Sequence, residues 1–93
     1  MLVEIKKGDG KFYIGDNEQN PTAEITFKPI GDDKLDVDHT YVAEELRGEG
    51  IAGKLTEKMV SHARDEGKTI KPTCPYVADK MEQTPEYQDM LAD

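Results

Sequence analysis

Cysteine, tryptophan and positive charge are all scarce in this chain, and each scarcity closes off a class of function. One cysteine, Cys74, and no tryptophan occur among the 93 residues. A lone thiol excludes an internal disulfide framework and a cysteine-based zinc site, and it fits a reducing compartment, so the cytoplasm is the expected location. No apolar run approaches the roughly 18 residues that a membrane span requires, and no signal-peptide pattern is visible, so no membrane association is expected. Twelve Lys and Arg against twenty Asp and Glu leave a net charge of −8. That sign argues against a nucleic-acid partner and would attract a basic one. The two histidines fall on different elements and no carboxylates cluster at ligand spacing, so no metal site is expected. A chain of this length has room for one core, which predicts a single domain over residues 1–93, expected as a monomer.

What is present begins with four strand-like segments separated by turn chemistry: "LVEIKK", "KFYIG", "TAEITFKP" and "KLDVDHTYV". Gly8-Asp9-Gly10, Asp16-Asn17 with Asn20-Pro21, and Pro29 with Gly31-Asp32-Asp33 supply the links, which are short enough to predict an antiparallel meander. Period-two alternation puts Ala23, Ile25 and Phe27 on one face of the third strand. The same rule puts Leu35, Val37, His39 and Tyr41 on one face of the fourth, and makes the aspartates at 32, 33, 36 and 38 a solvated edge. Ile51, Leu55, Met59 and Ala63 then recur at every fourth position, widened by Ala52 and Val60, and predict an amphipathic helix ended by Gly67. The short strand "TIKP" follows, completing a βαβ unit, and the tail predicts one or two short helices with Thr84 as N-cap and Pro85 at the first helical position. The fold class expected is α/β.

The start of the long helix is unusual. "RGEGIAGKL" brings Gly48, Gly50 and Gly53 to its first turns, although glycine inside a helix costs about 1 kcal/mol relative to alanine. Backbone N–H groups converging at a helix N-terminus bind anions, and glycine allows a diphosphate to approach without meeting a Cβ. Arg47 and Lys54 bracket the loop with positive charge in an otherwise acidic chain. The competing reading is a tight strand-to-helix turn whose glycines permit close packing against the sheet. Walker A spacing fails because Leu55 stands where a magnesium-binding hydroxyl belongs. The Rossmann spacing G-x-G-x-x-G is met literally, but it follows an antiparallel meander in a chain too short for two βαβαβ halves.

Arg47 to Ala52, "RGEGIA", matches the [Q/R]-x-x-G-x-[G/A] acetyl-CoA signature of the GNAT acetyltransferase superfamily, with a strand ending in "TYV" before it and an amphipathic helix after it. With "KPTCPY", the chain resembles the small, stand-alone GNAT-like proteins of YjdJ type over nearly its whole length. The resemblance implies a GNAT-like fold, acetyl-CoA or coenzyme A as cofactor, and N-acetyltransferase activity toward a small-molecule or protein amine. It places the cofactor's diphosphate on Arg47, Gly48, Gly50, Ile51, Ala52 and Gly53, beside Lys54, and its pantetheine arm along Tyr41, Val42 and Ala43. Usual members carry extra N-terminal helices that wall the acceptor site; with the first strand starting at Leu2, an open acceptor cleft is expected.

Three residues are candidates for the chemistry. Cys74 precedes Pro75, which biases it toward the extended geometry of an N-cap, where a helix N-terminus favours thiolate over thiol. It is either a nucleophile facing the thioester or a small buried hydrophobe. His39, on the apolar face of the fourth strand, is either a hydrogen-bonded core residue or the base that takes a proton from Cys74 or from an incoming ammonium. Tyr76 could hydrogen-bond the leaving thiol or anchor the core, and His62 is taken as surface. Transfer is therefore expected either directly or through Cys74, the alternative function being a CoA-binding or protein-interaction module without turnover.

Overall fold

The structure, a computed structural model, describes residues 4–92. Four strands form the expected meander: β1 (Lys6–Gly8), β2 (Lys11–Ile14), β3 (Ala23–Ile30) and β4 (Lys34–Val42), each antiparallel to the next. Leu2 and Val3 lie outside the described residues, and Glu4 and Ile5 precede β1 rather than belonging to it. A 3₁₀ turn at Glu44–Leu46 leads into helix α1 (Ile51–Asp65). Gly67, at φ 70°, turns the chain out of the helix as expected of a left-handed stop. Strand β5 (Thr69–Pro72) then adds beside β4 in parallel, giving the order β1-β2-β3-β4-β5. Helix α2 (Pro75–Gln83) and a 3₁₀ segment at Pro85–Met90 complete the fold, with Thr84 and Pro85 at the start of the latter as predicted. The last residues close the exposed edge of β5: Leu91 bridges Ile70, and the Ala92 N–H donates to the Ile70 carbonyl at 2.8 Å.

One apolar cluster holds these elements together. Phe12, Ala23, Ile25, Leu35, Val37 and Ile70 contribute from the sheet, Ile51, Leu55, Met59, Val60 and Ala63 from α1, and Val77 and Met81 from α2. Burying side chains of this size contributes about 1.5–3 kcal/mol each, so Leu55 and Met59 together outweigh the glycine penalty within α1. Packing rather than propensity makes this helix. His62, expected at the surface, is instead half-buried, its ring 5.3 Å from Phe12 and 5.4 Å from Phe27.

The β3–β4 pairing contains the feature that decides the site. Thr26 faces His39 and Phe27 faces Val37, so Asp38 is an extra residue bulged out of β4. A one-residue bulge inverts the alternation beyond it. Leu35 and Val37 point into the core; past the bulge, Thr40 faces Ile25 and Val42 faces Ala23, both on the core side. His39 and Tyr41, opposite Thr26 and Glu24, turn to the other face and are exposed. The expectation that His39 and Tyr41 share a face with Leu35 and Val37 is therefore corrected. The solvated-edge expectation also needs one correction: Asp32, Asp33 and Asp38 are exposed, but Asp36 is buried and accepts a hydrogen bond from the Thr73 hydroxyl.

Candidate functional site: the α1 loop and the fork between β4 and β5

Strands β4 and β5 pair only from Lys34 with Thr69 to Val37 with Pro72. There they part. The Cys74 N–H donates to the Val37 carbonyl at 3.0 Å, and the chain turns into α2 while β4 runs on to Val42. Cys74 thus sits at the fork. Its backbone is extended (φ −67°, ψ 124°), Pro75 occupies the first helical position, and the side chain is buried at 7% exposure. The N-cap prediction holds, although the thiol makes no capping bond. Its neighbour is the Thr40 hydroxyl, 3.4 Å from Sγ. Thr40 was not foreseen, because only the bulge brings it to this face. His39, exposed on the opposite face, does not meet Cys74, and the role of proton acceptor for that thiol falls with its placement.

Beyond the fork, main-chain groups of β4 alternate between β3 and the edge that β5 has left. The Ala43 N–H is engaged by the Thr22 carbonyl at 2.7 Å, on the β3 side. Val42 accordingly directs its groups to the free edge, where Arg47 Nε donates to its carbonyl at 3.1 Å. Of Tyr41, Val42 and Ala43, Val42 is the one whose main chain is offered to a ligand. Tyr41 is 41% exposed on the outer face, and the amide of Ala43 is already used.

The free edge leads to the glycine loop. Val42, Leu46, Arg47, Gly48, Gly50, Ile51, Ala52, Gly53 and Tyr76 line a cavity of about 220 Å³. No carboxylate is among them, although the chain carries twenty. The first intrahelical bond of α1 runs from the Lys54 N–H to the Gly50 carbonyl, so the N–H groups of Ile51, Ala52 and Gly53 have no partner within the helix. Gly50 supplies no side-chain cap, and the first turn holds no acidic residue. Three donors and the positive end of the helix dipole therefore face this cavity, which is the physical requirement for binding an anion. Lys54, expected beside the loop, points elsewhere and lines a separate groove with Ile5, Glu57, Lys58 and Ser61.

The three glycines are not alike. Gly48 (φ 88°) and Gly50 (φ 74°) take left-handed backbone that disfavours other residues, yet a Cβ at either would meet nothing within 4 Å. Close packing against the sheet does not explain them. Gly53 has ordinary helical geometry, and a Cβ there would find only normal contacts, 3.7 Å from Tyr76 Oη and 3.7 Å from Lys80 Cε. Neither backbone nor packing requires glycine at 53. What a methyl group would take away is room in the cavity itself. Tyr76, 40% exposed, stands over this turn rather than anchoring the core.

A forked sheet with an open anion-binding turn beside the fork defines an α/β domain of the acyltransferase type, and comparison with known proteins agrees. The family model for GCN5-related N-acetyltransferases matches residues 11–90. The solution structure of a GCN5-like protein from Staphylococcus aureus, assigned as an N-acetyltransferase, is 40% identical and superposes with a TM-score of 0.82, over 97% of this chain and 88% of that one. The ribosomal-protein-alanine N-acetyltransferase of Brucella melitensis biovar Abortus 2308 shares the fold at a TM-score of 0.51 and 22% identity, over 89% of this chain and 61% of that one. This chain belongs to the GCN5-related N-acetyltransferase family. No helix among the described residues is long and apolar enough to cross a membrane.

Proposed function

We propose that this chain binds acetyl-CoA and transfers its acetyl group to an amine. The observation that carries the reading is the uncapped start of α1, where three unpaired N–H groups line a cavity free of carboxylates that reaches Val42 on the edge of β4. These residues fit the cofactor: Ile51, Ala52 and Gly53, with Gly48 and Gly50 opening the turn, would hold its diphosphate, and the main chain of Val42 would hold its pantetheine arm. Bound there, the thioester supplies an activated acyl group. Transfer makes a C–N bond, breaks the C–S bond, takes a proton from the acceptor amine and returns one to the CoA thiol.

Cys74 lies at the fork, where its buried thiol could take the acetyl group before the amine does, with Thr40 hydrogen-bonding the sulfur. Tyr76, which lines the cavity at the α1 loop, is a donor for the leaving thiol. The net charge of −8 favours a basic acceptor, and a single buried free cysteine suits a reducing cytoplasm. Thermal melting with and without CoA tests the binding: at a hundredfold excess over Kd, linkage stabilises by about 2.7 kcal/mol. Intact mass after incubation with acetyl-CoA tests the route, since an adduct of one acetyl group on Cys74 means transfer through the thiol. Unchanged melting in saturating CoA would overturn the reading, and binding without acetylation of any amine would reduce it to a CoA-binding module.

A further inference from the structure

Lys80 reaches from the end of one helix toward the start of the other. It lies on α2, and its half-buried side chain reaches back over Tyr76 to the first turn of α1, bringing Nζ within 3.9 Å and Cε within 3.7 Å of where a Cβ on Gly53 would be. A cation near the positive end of a helix dipole is disfavoured. On its own helix Lys80 sits in the last turn, where the negative end of the α2 dipole suits a cation, and no carboxylate stands one turn away on either side, the neighbours being Tyr76, Val77, Gln83 and Thr84. The ion pairs among the described residues join Lys11 to Glu24 and Arg64 to Asp89, leaving Lys80 out of both. In a chain with a surplus of carboxylates, a lysine whose Nζ reaches the first turn of α1 and enters neither ion pair is placed for an anion from outside. Gly53 leads to the same conclusion independently, because its missing Cβ keeps open the space between Lys80, Tyr76 and the amides, and neither backbone nor packing asks for glycine there.

From this geometry we infer that Lys80 binds the diphosphate of the acyl carrier, closing the site from the α2 side opposite the α1 amides, and thereby selects acyl donors carried on a nucleotide diphosphate over simple thioesters. The inference rests on the CoA-binding reading above. Isothermal titration of wild type, Lys80→Gln and Lys80→Arg with CoA and with 3′-dephospho-CoA tests it. A charge-assisted contact of this kind is worth about tenfold in affinity, so Lys80→Gln should weaken both ligands by about that factor, while Lys80→Arg should stay within about threefold of wild type. The salt dependence of binding should be shallower in Lys80→Gln. Equal CoA affinity of wild type and Lys80→Gln would overturn the inference and leave the CoA-binding reading standing. A loss seen with CoA but not with 3′-dephospho-CoA would assign Lys80 to the 3′-phosphate and overturn it as well. Absence of CoA binding by the wild type would overturn both readings.

Discussion

The two α-helices among the described residues begin in opposite ways. Helix α1 starts from a left-handed glycine with no side-chain cap and no acidic residue in its first turn, and with Lys80 and Arg47 nearby; its three leading N–H groups are left for something else to satisfy. Helix α2 starts from an extended Cys74 followed by Pro75, which has no N–H to satisfy and whose ring presets the helical φ. The first start is open and the second is closed over a buried thiol. At its other end α1 behaves conventionally, with Arg64 in the last turn complementing the dipole. The departure is confined to the end that faces the cavity. Electrostatic oddity is thus local, and it separates the region proposed to hold a ligand's charge from the region proposed to hold a reactive atom.

The most severe way to break this contrast is to fill the left-handed position. Gly50→Val forces a β-branched residue to φ 74°. We expect a loss of about 2 kcal/mol or more in urea unfolding, together with loss of CoA-induced stabilisation in thermal melts. The closed start should respond differently. Cys74→Ala should cost about 1 kcal/mol of stability through the small void at the fork, leave CoA affinity within about twofold by titration, and abolish any acetyl adduct seen by mass. In the wild type, bound CoA should slow alkylation of Cys74 by iodoacetamide.

Gly53→Ala sharpens the comparison with effects of opposite sign. The methyl group fits the free protein, so unfolding stability should rise by about 0.5–1 kcal/mol, while CoA affinity should fall because the same methyl group occupies the cavity. A stability gain with unchanged affinity would show that Gly53 is not kept for the ligand. The smallest effect is expected at the far end of α1. Burial between aromatic rings, aided by Lys7, lowers the pKa of His62 below its ordinary value of 6.5. The unfolded chain then binds the proton first, so stability present above about pH 6.5 should be lost as pH falls from there toward the folded pKa. Chemical denaturation across that range should show this slope in the wild type and not in His62→Gln.

Much of the architecture was legible because it is local. The bounds of β4 and β5, the stripe of α1, the Gly67 stop and the Pro75 and Pro85 helix starts all follow from periodicity and from residues that restrict their own backbone. The uncapped start of α1, the proposed anion site, was legible for the same reason, since its donors are consecutive amides. The identity of the thiol's neighbour was not. His39 and Thr40 are adjacent in sequence, and which one faces Cys74 depends on where the register between β3 and β4 slips, a property of two strands together. Lys80 was missed because its contact is with Gly53, 27 positions earlier on another helix.

The sequence by itself determined the α/β order of elements, the open start of α1, the geometry of Cys74 and, through the signature at Arg47 to Ala52, the acetyltransferase family. These are statements about backbone preference and spacing, which a short stretch of chain settles alone. Tertiary structure decided that Thr40 rather than His39 meets the thiol, that Val42 rather than Ala43 offers its main chain at the free edge, and that Lys80 and Tyr76 stand over Gly53. The physical reason is parity and distance: a one-residue bulge exchanges the two faces of a strand, and a contact between helices is set by how both pack on the sheet, which neither segment encodes separately.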